Sequence, residues 1–502
     1  MRSLPQQFPV LKIIHRCQSK WRKSPARRTF KNVMDFPSRL TKYLMIGLLA
    51  VSVGVALGPS GDSHAVQSAP EPRREQLLNG LPVLLWTRAG DPKVLVRLRI
   101  HSGAAFDLAG KAGMMSLLGD ALFPDPTTRE YFTEELSGRL EVTTDYDSID
   151  ITLAGPASEF ERIIDQLRSA VNSPLPPAET VERLRDARSK MVRELGVSPT
   201  MIADRAIAAR LYGEYPYGRA YAGTPETLAG LNRHDLQFAR ERFLHPNNST
   251  LVIIGGVEER RAMRALRQLL GMWRKSDSIV PSTFRQPDAP DERTLLINLP
   301  GAETAEIRLA TRALARGDRD YTAATLLALL ARDRWQAALP ELNKKAFFVR
   351  HEAYKLSGSF IMGASVPVSE AAHTLEAARQ VIRSLAATPP SASELERVKS
   401  EAQAVLIKQT EQAESIAELW LDMETFKLAP LADQVRQLNV LTPGDVQRTA
   451  ARLFRDAPAA SVAVGSADLL RPDLERASKV EVLGATSAPQ NAPPASTPVK
   501  SP

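Results

Sequence analysis

Histidine, cysteine and carboxylate side chains hold metals and move protons, so their spacing decides which chemistry this chain can perform. Five of its seven histidines, His101, His234, His245, His351 and His373, lie beyond residue 65, and no two have the spacing that places a ligand pair on one helical face. No histidine occurs between residues 102 and 200. Cys17, near the N-terminus, is the only cysteine. Disulfides, a thiolate nucleophile and cysteine-ligated zinc are therefore excluded from the rest of the chain. A phosphate-cradling G-x-x-x-x-G-K-[ST], a G-x-S-x-G nucleophile elbow and H-E-x-x-H are all absent. The scattered histidines read as surface or packing residues.

The elements that would position any site follow from hydrophobic periodicity. Alternating apolar segments at Leu81 to Trp86 and Val94 to Ile100 read as strands of a sheet with one buried face. A helix follows over 111–122, a turn at Pro124-Asp125-Pro126, a helix over 129–137 and a strand at 148–153. Helices at 157–171, 178–195 and 201–212 precede the strand LVIIGGV at 251–257. The second half repeats this rhythm, with strands near 293–298 and 305–311, a helix at 318–338, a strand at 359–366, helices at 369–386 and 392–427, and a strand at 460–464. The expected fold is α+β: two homologous tandem domains, each a largely antiparallel sheet with helices packed on one face. Their bounds are 72–275 and 292–484, joined by a polar linker at 276–291.

Separated blocks stand at Asn79-Gly80-Leu81, Pro92, Ser102-Gly103, Tyr215-Pro216-Tyr217-Gly218, Gly223-Thr224 and Pro246-Asn247-Asn248, followed in the second half by Pro300-Gly301-Ala302-Glu303 and Asp318-Arg319-Asp320-Tyr321. Together they resemble the insulinase, pitrilysin and mitochondrial-processing-peptidase family. The blocks agree in order and span nearly all of the chain after residue 75.

The resemblance implies where a zinc site would stand. Active members of that family carry an inverted motif, H-x-x-E-H, on the first helix of the first half; its two histidines bind zinc and its glutamate is the general base. Aligned on the end of that helix, the motif falls on Ser116-Leu117-Leu118-Gly119-Asp120, so both histidines and the glutamate are missing. The third ligand position falls on Glu194, 74 residues after Asp120. Ser116, Gly119 and Asp120 are thus a degenerate motif, no bound metal or catalytic residue is expected, and Glu194 is the residual ligand position.

The family's substrate-binding elements map onto Arg334, with Arg332 as the alternative, and onto Phe347 in place of a tyrosine. Glu141 falls at the asparagine position of a peptide-capturing edge strand that starts at Gly138. Main-chain pairing needs only an open edge, so peptide binding could outlive catalysis.

The net charge of +8 belongs to the leader. Residues 1–65 hold 11 of the 65 Lys/Arg and 2 of the 57 Asp/Glu, leaving 54 basic and 55 acidic residues beyond them. Nucleic acid is therefore dropped as a partner. The apolar run at 43–58, preceded by Arg39 and Lys42 and followed by Ser63-His64-Ala65, has the pattern of a secretory signal. It predicts a periplasmic or secreted protein beginning at Val66; a retained membrane anchor is the alternative, and Met34 is an alternative start to Met1. Residues 485–502, rich in Pro, Ala and Ser, read as a disordered tail.

The function expected from these readings is the silent subunit of a two-chain zinc metalloprotease. Zinc would be held only by a homologous partner chain with an intact H-x-x-E-H, and the substrates would be unfolded or extended peptides. A stand-alone peptide-binding or scaffold protein of the envelope, or an active metallopeptidase with an atypical site, are the alternatives.

Overall fold

Eight residues of alternating outlook, Lys93–Ile100, form the central strand of the first sheet, and all but the first are buried. Val94, Val96, Leu98 and Ile100 enter the main core of the first half, while Leu95, Arg97 and Arg99 point to the opposite face. The sheet is therefore buried on both faces: helices of its own half pack on one, as expected, and a segment of the second half covers the other.

A computed structural model describes residues 70–278, 284–285, 287–455 and 457–484. The leader with its apolar run at 43–58 and Cys17, the cleavage position before Val66, part of the linker at 276–291 and the tail at 485–502 lie outside the described residues. Among the described residues no helix is long and apolar enough to cross a membrane.

The first half contains β1 (Arg73–Gln76), β2 (Pro82–Thr87), β3 (Lys93–Ile100), α1 (Met114–Ala121), α2 (Pro126–Glu130), β4 (Arg139–Thr144), β5 (Ile149–Pro156), α3 (Phe160–Asn172), α4 (Ala178–Leu195), α5 (Pro199–Tyr212), α6 (Pro225–Ala229), α7 (Arg233–Phe243), β6 (Ser249–Gly255) and α8 (Glu259–Leu270). The second contains β7 (Thr294–Asn298), β8 (Thr304–Ala313), α9 (Tyr321–Ala338), β9 (Phe347–Ala353), β10 (Gly358–Pro367), α10 (Ala371–Ala387), α11 (Ala392–Lys408), α12 (Ala413–Phe426), α13 (Leu431–Val440), α14 (Pro443–Phe454), β11 (Ala460–Gly465), α15 (Ala467–Ala477) and β12 (Val480–Gly484). Two six-stranded sheets result, in the orders β1-β2-β6-β3-β5-β4 and β12-β7-β11-β8-β10-β9. Both are largely antiparallel, the exceptions being β2 with β6, and β7 with β11 and β12. The helix expected over 129–137 is divided between α2 and a π-helical turn at Tyr131–Glu135.

The two halves exchange a helix. From the first half, α5 lays Ala203, Ala206, Ile207 and Leu211 against Leu295, Ile297, Ala310 and Val462 of the second sheet. In return α12 lays Ile416, Ala417, Trp420 and Leu421 against Leu84, Leu95, Val252 and Ile254 of the first. A buried arginine anchors each exchanged helix. Arg99 binds Asp150, Glu418 and Asp422, each at 2.7 Å, and Arg308 binds Asp204 at 2.6 Å. The 392–427 run, expected as one helix, breaks at residues 409–412 because α12 must leave its own helix layer to reach the other sheet.

The β4–β5 and β9–β10 hairpins meet at a buried carboxylate. Asp147 accepts hydrogen bonds from the Tyr217 hydroxyl at 3.0 Å and the Lys355 amide at 2.8 Å, and Tyr217 accepts one from the Leu356 amide. Burial, reinforced by nearby Asp145, pushes Asp147 up to about 7. The native state therefore holds a proton between about pH 4 and 7 that the unfolded chain has lost, so stability falls as pH rises through that window. The limiting slope is about 1.4 kcal/mol per pH unit for one group. Urea unfolding should show lower stability at pH 8 than at pH 5, with a smaller difference in Asp147→Asn; an unchanged difference would remove Asp147 from this role.

Candidate functional site

Helix α1 has no side-chain cap of its own, since its N-cap is Gly113 in the left-handed region at φ 93°. Asp107 supplies the acceptors instead, taking the Gly113 amide at 2.7 Å and the Met115 amide at 2.8 Å. Burial pushes Asp107 up to about 7 even though both amides favour its charged form. Gly113 also permits close approach of the 220–224 loop: a Cβ there would lie 2.8 Å from the Gly223 Cα. This approach brings the Tyr221 carbonyl to within 2.7 Å of the Ser116 hydroxyl, which donates to it.

The degenerate motif is closed rather than open. Gly119 faces β4, and a Cβ there would meet the Thr144 hydroxyl at 3.0 Å, so any longer side chain must displace Thr144. Asp120 is clamped by Arg188 of α4, whose Nε and Nη2 donate to the two carboxylate oxygens at 2.6 and 2.8 Å. The same Nη2 donates to the Ser116 carbonyl at 3.1 Å. A planar guanidinium thus takes both oxygens of the acid and ties α4 to α1.

Glu194 is not part of this cluster. Its side chain is 66% exposed and its nearest cation is Lys190 at 3.9 Å. It follows Arg188 by six residues, about 9 Å along the helix and roughly 240° around it, on a different face. The structure does not bring Glu194 together with Ser116, Gly119 and Asp120. Val181, Leu184, Arg188 and Val192 form the inward stripe of α4; sequence reasoning missed Arg188, and that periodicity is the signal that could have found it.

Glu141 lies on β4, the outer strand of the first sheet, opposite Thr152 of β5. One of its oxygens is buried without a hydrogen-bond partner. Nearby, Arg129 donates to the Leu140 carbonyl at 3.3 Å; burial lowers its pKa, opposed by Asp120 and Glu141. Arg334 and Phe347 stand elsewhere, in the second half. Arg334 forms a two-point ion pair with Glu394, at 2.9 and 3.1 Å, inside the helix layer of the second half. Arg332 is held in the same way by Glu401. Phe347 is buried edge-to-face against Trp335 at 4.8 Å. No contact joins Arg334 or Phe347 to the α1 cluster among the described residues.

Residues 230–402 match the family model described as the peptidase M16 inactive domain. That segment is similar to the M16 peptidase family, and the match covers about a third of the chain. Its fold is that of a peptidase M16 inactive domain from Pseudomonas fluorescens, with a TM-score of 0.70 at 18% identity, covering 79% of this chain and 98% of that one. A protease from Helicobacter pylori matches equally, with a TM-score of 0.70 at 16% identity and coverage of 79% and 99%. No curated protein matches the sequence.

Zinc does not fit the residues of this chain. Both Asp120 oxygens are taken by a cation, the Ser116 hydroxyl is turned to a carbonyl, and the described residues contain no group of three His, Cys, Asp or Glu able to hold a metal. A catalytic zinc needs three strong protein ligands and an open position.

Proposed function

We propose that this M16 homologue is a non-catalytic subunit of an exported, two-chain zinc metalloprotease, supplying one wall of a peptide chamber whose zinc is held by a homologous partner. The observation that supports this reading is the Arg188 clamp on Asp120, an internal cation at the position that the resemblance aligns with the family's metal-binding motif. The outer strand β4 supports a remaining peptide-binding role, because an extended chain can pair with an open edge without any catalytic group. Arg334 contributes no donor in this scheme, since Glu394 already holds it.

The test is co-expression with a homologous chain that carries an intact H-x-x-E-H, followed by size exclusion and a peptide-cleavage assay. Co-elution and a rise in the partner's peptidase activity are expected, because a second wall encloses the peptide and excludes water. Separate elution at micromolar concentration with unchanged activity would leave the stand-alone scaffold reading in its place.

A further inference from the structure

The chain beyond the leader is close to electrically neutral, yet one face of it is strongly basic. Helix α8 packs Ala262, Met263, Ala265, Leu266 and Leu270 into the core and turns Arg260, Arg264 and Arg267 to solvent on its opposite face. Alongside it runs β1, and the open groove between them is lined by four arginines, Arg73 among them, against two glutamates, Glu75 and Glu259. Both glutamates are engaged by Arg73, and Arg260 pairs with Glu258. No salt bridge reaches Arg264, Arg267, Arg274 or Lys275 among the described residues. The corresponding helix of the second half, α15, differs: Arg471 pairs with Glu475 and Arg476 with Asp473. The fold therefore does not require an unpaired basic face at this position.

Two exposed apolar side chains stand near the end of α8. The Asn79 side chain donates to the carbonyls of Leu270 and Trp273, which fastens the turn after β1 to the end of α8. Flanking that contact, Leu78 is fully exposed and Met272 is 84% exposed. Exposed arginines, two of them (Arg264 and Arg267) without a salt bridge among the described residues, beside protruding apolar residues are the combination that anionic lipid attracts.

We propose that the face formed by β1, the turn at residues 77–80 and α8 docks on an anionic lipid bilayer, with Leu78 and Met272 entering the headgroup layer and Arg260, Arg264 and Arg267 against lipid phosphates. The sequence favours lipid over an acidic protein. The apolar run at 43–58 ends 14 residues before β1, and residues 59–72 can span at most about 50 Å. A run retained in a membrane as an anchor thus tethers β1 within that distance of the surface.

The inference is tested with the full chain carrying Cys17→Ser and Met272→Cys, labelled at residue 272 with a polarity-sensitive dye. The protein is placed in nanodiscs of phosphatidylcholine alone or mixed with phosphatidylglycerol. Quenching of the dye by brominated lipid is expected in the mixed discs and should be much weaker in phosphatidylcholine. Combined Arg260→Glu, Arg264→Glu and Arg267→Glu changes should lower it by roughly tenfold or more. These positions are exposed, so an unchanged thermal midpoint will show that the variant is folded. Equal quenching in both lipids, or protection of the dye by soluble polyglutamate but not by lipid, would overturn the inference.

Discussion

Neither half of the chain is expected to fold alone: residues 70–278 or 287–484, expressed separately, should be insoluble, and co-expression should recover a soluble complex. The reason is the exchange of α5 and α12. Without α12 the first sheet exposes Leu84, Leu95, Val252 and Ile254, while Ile416, Trp420 and Leu421 lose their cover in the other fragment. Each such side chain is worth about 1.5–3 kcal/mol when buried, against a total stability of about 5–15 kcal/mol for an ordinary domain. The second sheet loses a comparable set on removal of α5. Solubility, size exclusion and thermal melting of each fragment check this. A fragment that stays monomeric and melts cooperatively by itself would contradict it.

Arg99→Ala should cost about 3–5 kcal/mol, the usual penalty for removing one partner of a buried ion network. Arg99 is 1% exposed, and burial opposes its charge. Asp150, Glu418 and Asp422 outweigh that penalty and hold its pKa above the ordinary value. Its three nitrogens reach one acid of the first sheet and two of α12, so the change removes the guanidinium that all three share. Arg99→Lys should rescue little, because a compact ammonium cannot span three carboxylates in fixed directions. Urea unfolding gives the comparison, with Arg260→Ala as an exposed control expected within about 0.5 kcal/mol of the parent. A loss at Arg99 no larger than the control's would show that the network does not anchor the exchanged helix.

How much of this was legible in the sequence depends on the range of the interaction. Strands such as β2, β3, β5 and β10 were evident because side-chain alternation is local, and the tandem α+β plan followed from the order of the elements. The covering of the outer sheet faces was not evident. The apolar stripe of α12 shows that it packs on something, but nothing local says that the partner is β3 and β6 of the other half. The burial of Arg97 and Arg99 within β3 was the clue, since arginines on a strand interior need acids from another element. At the degenerate motif, the loss of ligands was plain from the absence of histidine. What fills the place was not, because Glu194 was reached by counting along a family pattern, whereas helical phase selects Arg188. Arg334 and Phe347 were reached in a related way. Spacing matched them to substrate-binding positions, while Glu394, Glu401 and Trp335, brought close only by folding, hold that region in the helix layer of the second half.

The central claim is that Arg188 and Asp120 close the position at which the family's motif would bind metal. The most direct measurement is the zinc content of the purified full chain after exposure to zinc and exhaustive dialysis, compared with Asp120→Asn. Far less than one zinc per chain, unchanged by the substitution, is the predicted result. One tightly held zinc per chain that disappears in Asp120→Asn would contradict it.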